Sequence, residues 1–168
     1  MAQDEGRFGR INTTVKAWAP AHVRPSTPRQ IVRQYLYVYS AVCPSLGKMS
    51  SLILPSANTE MMNIFLEHVA TVFKDYFLIM IVDQAGWHLA KALKVPENIR
   101  LLPQPAHSPE LNPTEHVWKE IKEKYFHNRI FKSLDHVEDT ICVALKELAS
   151  EPDRIRSLTN FPYMRITH

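Results

Sequence analysis

The sequence predicts an α/β fold, a mixed sheet flanked by helices, and three features carry that expectation. A long β-rich run, Ile31 to Cys43, places Tyr35, Tyr37 and Tyr39 on one face and Leu36 and Val38 on the other. Phe77-Leu78-Ile79-Met80-Ile81-Val82 is uninterrupted apolar sequence, the pattern of a central strand covered on both faces, with parallel neighbours and helices on either side. Between and after these runs, apolar residues recur at helical spacing.

Taken in order, residues 8 to 19 carry an extended pattern ending in Val15, Ala17 and Trp18, and Pro20, Pro25 and Pro28 then impose a loop. After the Ile31 to Cys43 run, Pro44-Ser45-Leu46-Gly47 turns the chain into Lys48 to Leu54, so the two runs form an antiparallel hairpin. Asn58 or Thr59 caps a helix reaching Lys74, with Met61, Met62, Phe65, Leu66, Val69, Val72 and Phe73 on its broad apolar face. The central strand ends at Asp83, and a short strand, Ile99 to Leu102, leads into a proline-rich loop from Pro103 to Pro113. A helix follows with Asn112 as N-cap, Pro113 at its first position and Glu115 at its third, then Val117, Trp118, Ile121 and Tyr125 as a stripe. Ser133 caps a last long helix through Leu134, Val137, Ile141, Ala144, Leu145 and Leu148.

Composition bounds the function. A chain of 168 residues, 45% hydrophobic and 22% charged, suits one globular domain with a real core. Its longest apolar run is far short of the ~20 residues that span a bilayer, and the polar start lacks a signal peptide's apolar stretch, so a cytoplasmic protein without a membrane partner is expected. Cys43 and Cys142 lie far apart without metal-ligand spacing. The net charge of +3 is modest, but basic residues cluster: Arg7, Arg10, Lys16, Arg24, Arg29 and Arg33 early, and Lys119, Lys122, Lys124, Arg129 and Lys132 late. Such clusters suit either phosphates or a solvated surface.

Two acids stand where chemistry gathers in sheets of this kind. Asp83 directly follows the central strand, where a carboxylate serves as a metal ligand or caps a turn. Glu115 lies in the first turn of its helix, on the boundary between core and solvent; Asn112-x-x-Glu115 also has the form of a capping box. Asp4, taken alone, is a charge near the start of the chain. His88 and His116 suit phosphate contact, support of the metal ligands, or plain structural hydrogen bonds. A zinc site of His88, His107 and His116 lacks both a thiol and a tight spacing.

The motifs sharpen this. Asp4-Glu5-x-x-Phe8, Asp83-Gln84-Ala85-Gly86-Trp87-His88 and Ser108-Pro109-Glu110-Leu111-Asn112-Pro113-Thr114-Glu115-His116-Val117-Trp118 follow one another in order. Together they closely resemble the mariner-related insertion-sequence transposases, the DDE superfamily endonucleases. That resemblance implies a ribonuclease-H-like fold, a carboxylate triad of Asp4, Asp83 and Glu115, two divalent ions (Mg²⁺ or Mn²⁺), and cut-and-paste transfer of DNA. It makes transposon ends and target DNA the partners, a homodimer the expected assembly, and a DNA-associated location the expected one. Lys119, Lys122 and Arg129 become phosphate contacts, while His88, Asn112 and His116 become supports for the ligands. In the family an apolar strand and a helix-turn-helix region precede the first aspartate. Here only Met1-Ala2-Gln3 does, so residues 1 to 168 read as the catalytic domain alone, its first strand truncated. DNA binding is then expected to be weak, largely sequence-independent and salt-sensitive. Gln84 stands for the commoner Asn, and Ala106-His107 for Pro-Tyr. A non-catalytic remnant that keeps the fold and binds DNA or a partner chain is the competing reading.

Overall fold

The computed structural model describes residues 1–162 apart from Ala17 and His107. Its sheet comprises β1 (Ala2–Ile11), β2 (Ile31–Cys43), β3 (Lys48–Leu54), β4 (Leu78–Val82) and β5 (Ile99–Pro103), in the order β3-β2-β1-β4-β5. β1 pairs antiparallel with β2, and β2 with β3, whereas β4 lies parallel to β1 and to β5. Among the described residues, four α-helices flank the sheet: α1 (Thr59–Val72), α2 (Thr114–Ile121), α3 (Leu134–Ala149) and α4 (Pro152–Thr159). A wider π-helical turn, Lys122–Phe126, extends α2.

Period-two alternation divides the core. Tyr39, Ala41, Leu78, Met80 and Val82 face α1, packing on Met62, Phe65, Leu66 and Val69. Ala2, Phe8, Val38 and Val42 face the other way, onto Val117, Trp118 and Ile121 of α2 and Val137, Ile141, Ala144 and Leu148 of α3. The hairpin β2–β3 and both of its predicted boundaries match the structure. Asn58 caps α1 through Met61 N–H at 2.9 Å, and Ser133 caps α3 through His136 N–H at 3.1 Å.

Four expectations change. The first strand is not the segment 8 to 19: it begins at Ala2, carries Asp4 within it and ends at Ile11. Its β-poor residues, two glycines among them, are held extended by the ladder to β2 rather than by propensity. In the parallel ladder between β1 and β4, Ala2 pairs with Ile81. Ala17 lies outside the described residues, and Trp18 is fully exposed. β4 is fully covered on one face only: on the other, Ile79 is 55% exposed and Ile81 is half-buried. The helix predicted from Pro113 begins at Thr114, after a 3₁₀ turn at Pro109–Leu111. Finally, α4 is a helix that the apolar periodicity did not reveal; its signal is Pro152 at the first position with Asp153 in the first turn.

Candidate active site

The sheet's topology brings the acids together. Asp4 and Asp83 each stand two residues beyond the Ala2–Ile81 bridge, at the same level on neighbouring parallel strands. Past that bridge β4 ends while β1 continues beside β2, so a cleft opens at the carboxyl ends of the parallel strands, where ligands gather in such sheets. The cleft holds about 470 Å³ and is lined by Asp4, Asp83 and Glu115 together with Gln84, Gln104 and Asn112.

Each aspartate has one oxygen secured by the protein. Trp118 donates its indole N–H to Asp4 Oδ2 at 2.9 Å. Asp83 Oδ1 accepts from Ala85 N–H at 2.9 Å and lies 2.6 Å from His88 Nδ1. His88, 3% exposed, reaches Glu5 Oε1 through Nε2 at 2.9 Å. Trp118 can lie this close to β1 because Gly6 has no side chain: a Cβ there would stand 2.8 Å from the indole Cδ2 and 2.7 Å from the Phe8 ring.

Glu115 is aimed by Asn112. The Asn112 side chain accepts from Thr114 N–H at 3.1 Å and donates to Gln3 O at 3.2 Å, fastening the helix start to β1. The Asn112 backbone N–H goes to Pro109 O rather than to Glu115. The reciprocal half of a capping box is therefore absent, and Glu115 lines the cleft instead.

The other predicted residues are dispersed. His116 packs edge-on against Phe161, with ring centroids 4.9 Å apart, and is not among the residues lining the cleft. Lys119, Lys122 and Arg129 lie outside the cleft lining: Lys119 and Lys122 border a shallow groove that also includes Glu115, whereas Arg129 donates to Tyr125 O. His107, named in the zinc alternative, lies outside the described residues. Sequence reasoning missed Glu5 and the donor role of Trp118. Strand alternation puts Glu5 on the face opposite Asp4, and the three-residue step from Glu115 puts Trp118 on the same side of α2.

Electrostatics mark Asp4 as the uneasy member. Burial, opposed by the Trp118 hydrogen bond but reinforced by the Glu115 and Glu5 charges, pushes its pKa up to about 7. The His88 hydrogen bond, foremost, holds Asp83 below the ordinary carboxylate value. Burial opposes charge on His88, but its bonds to Asp83 and Glu5 outweigh it and push its pKa up to about 10.

The sign for Asp4 follows from a folded pKa above its ordinary 3.8. The stability it contributes is complete below 3.8 and is lost as pH rises through about 7. In metal-free buffer the native melting temperature is therefore expected to fall across that window relative to Asp4→Asn, which cannot ionise. At pH 8 the variant is expected to melt higher; parallel pH curves for the two proteins would contradict the assignment.

A sheet of this order, with three acids at the carboxyl ends of its parallel strands, defines an acid-lined α/β domain of ribonuclease-H-like fold. The family model described as DDE superfamily endonuclease matches residues 1–138, and the chain belongs to that family. It is 41% identical over 128 residues to the uncharacterized protein y4pE/y4sA of Sinorhizobium fredii (strain NBRC 101917 / NGR234), covering 74% of this chain and 93% of that one. Among solved structures it resembles the Mos1 transposase paired-end complex with left transposon end, with a TM-score of 0.63, 16% identity, and coverage of 95% of this chain and 55% of that one. The catalytic domain of Mos1 mariner transposase matches with a TM-score of 0.56 and 13% identity, over 99% of this chain and 83% of that one. A Mos1 mariner paired-end complex with Mn matches with a TM-score of 0.66 and 15% identity, over 95% and 53% respectively. At these identities the likeness is one of fold, and the chain spans about half the length of the transposase chains in the complexes.

Proposed function

We propose that this chain is the catalytic domain of a DNA transposase, cleaving and joining phosphodiesters with two divalent ions, Mg²⁺ or Mn²⁺, held by Asp4, Asp83 and Glu115. The observation that carries this reading is the convergence of the three motif acids on one cleft. The donors suit a hard cation in kind, being carboxylate oxygens without a thiol, and the repulsion that Asp4 feels from Glu115 is what a shared cation relieves. Among the described residues, no three His, Cys, Asp or Glu side chains form a ready coordination shell on their own. Waters and substrate phosphate would complete it, as is usual for Mg²⁺.

When bound, such ions supply charge for both the attacking and the leaving oxygen of an in-line displacement. The chain's own part is to present carboxylates in fixed orientation: Trp118 and Ala85 N–H each secure one oxygen of an aspartate, and Asn112 directs the helix bearing Glu115. Lys119 and Lys122, which share a groove with Glu115, and Arg129 are the proposed contacts to DNA phosphates. Transposon ends and target DNA are the proposed partners, together with a second copy of the chain. No helix among the described residues is long and apolar enough to cross a membrane, and a cytoplasmic, DNA-associated location belongs to the same proposal.

The test is calorimetric titration of Mn²⁺ into the native chain and Asp83→Ala, followed by incubation of both with supercoiled DNA. Binding and metal-dependent nicking by the native chain, both lost in the variant, are the expected results. Native binding without nicking would favour a non-catalytic remnant, and equal binding by both proteins would sink the triad.

A further inference from the structure

Glu5 has no part in the chemistry above, yet it is a carboxylate with only 5% of its side chain exposed. It lies on the face of β1 opposite Asp4, where its cross-strand neighbour is the buried Tyr39. Burying a carboxylate is costly unless hydrogen bonds satisfy it. Its Oε1 meets three nitrogens: Gln3 Nε2 at 2.9 Å, His88 Nε2 at 2.9 Å and the Trp87 indole at 3.4 Å. Two of them, Trp87 and His88, come from the loop that follows Asp83.

His88 turns its second ring nitrogen, Nδ1, toward Asp83, pairing with Oδ1 at 2.6 Å and hydrogen-bonding the Asp83 backbone O at 3.2 Å. Glu5, His88 and Asp83 thus form a continuous chain from β1 to the end of β4. It crosses between the two strands just where their backbones stop pairing, beyond the Ala2–Ile81 bridge. An imidazole held at one end only can rotate about its side-chain bonds; held at both ends it cannot, and the carboxylate it binds inherits that order.

We propose that Glu5 is a positioning residue: by anchoring His88 it fixes the orientation of Asp83, committing Oδ1 to the protein and leaving Oδ2 for a divalent cation. This rests on Asp83 being a metal ligand. What Glu5 contributes is reach, a hydrogen-bond acceptor at the right distance from β1, and substitutions separate reach from charge. Glu5→Asp keeps the charge but is one methylene too short. Glu5→Gln keeps the length and an acceptor oxygen for all three donors but loses the charge.

The experiment is Mn²⁺ binding, by calorimetry and by the electron paramagnetic resonance signal of free Mn²⁺. The proteins are the native chain, Glu5→Asp, Glu5→Gln, Asp83→Asn and the Glu5→Asp/Asp83→Asn double variant, each first shown to be folded by circular dichroism. Supporting partners of metal sites typically govern affinity by about 10- to 100-fold. A loss of that size is expected in Glu5→Asp and less than about threefold in Glu5→Gln, with no further loss when Glu5→Asp is added to Asp83→Asn. A reversed order, with Glu5→Gln weak and Glu5→Asp native, would overturn the inference in favour of a purely electrostatic role. Native affinity in Glu5→Asp, or losses that multiply in the double variant, would overturn it as well. If Glu5→Asp does not fold, native-like binding in Glu5→Gln supports the inference and a tenfold loss there overturns it. An Asp83→Asn variant that binds like the native chain would remove the metal-site reading itself, and the inference with it.

Discussion

Glu115→Gln is expected to fold as the native chain does and to lose metal-dependent DNA cleavage by about a thousandfold or more. The fold is spared because Glu115 is exposed, and the bond that starts its helix, Glu115 N–H to Asn112 O at 3.1 Å, belongs to the backbone. The amide also keeps the volume and helix propensity of the acid. What disappears is one anionic oxygen donor. Stabilisation of transition-state charge by a bound cation amounts to several kcal/mol, and each ~1.4 kcal/mol is a factor of ten in rate. Supercoiled-DNA nicking under Mn²⁺, alongside a thermal melt, gives both readouts. A variant that cuts within tenfold of the native rate would place the chemistry elsewhere.

Trp118→Ala is expected to produce the largest loss of stability of any substitution near the cleft, about 3–5 kcal/mol, which corresponds to roughly 10 °C in melting temperature for a domain of this size. The indole is 2% exposed, meets Phe8 edge-on at 5.8 Å and lies directly over Gly6, so its removal opens a void between β1 and α2. It also frees Asp4 Oδ2 from its N–H donor. Since that bond opposes the rise in the Asp4 pKa, its loss makes the carboxylate harder still to ionise, and Mn²⁺ binding near neutral pH weakens. Trp118→Phe separates the two effects. It keeps an aromatic ring over Gly6 while losing the N–H and part of the indole's volume, so it is expected to melt between Trp118→Ala and the native chain yet bind Mn²⁺ as weakly as Trp118→Ala. If both variants bind Mn²⁺ like the native chain, the indole serves packing alone.

Why some of this was legible in the sequence and some not is a matter of range. The hairpin was legible because alternation from Tyr35 to Tyr39 and the Pro44–Gly47 turn are local signals, and the structure keeps both boundaries. The helix caps at Asn58 and Ser133 were legible for the same reason. β1 was not. Gln3, Asp4, Glu5, Gly6 and Gly9 have little strand propensity, and only the partner strand holds them extended. The one-sided cover of β4 was hidden too, since an apolar run states what can be buried and not what the fold supplies to bury it. In the cleft, the motif order pointed to Asp4, Asp83 and Glu115, and one cavity gathers them. The links from Glu5 to His88 and from Trp118 to Asp4 span 83 and 114 positions, which no local pattern encodes.

The lone bridge between β1 and β4 gives the sheet a seam. On one side lies a plate of β3, β2 and β1, tightly laddered; on the other lies a smaller plate of β4 and β5. Main-chain stitching across the seam is confined to its start, where the Met1 amino group donates to Ile79 O and Ile81 N–H donates to Met1 O. Asp4 sits on one plate and Asp83 on the other, so an ion held by both, as proposed, would be a rivet as well as a cofactor, and its binding would add to the stability of the sheet.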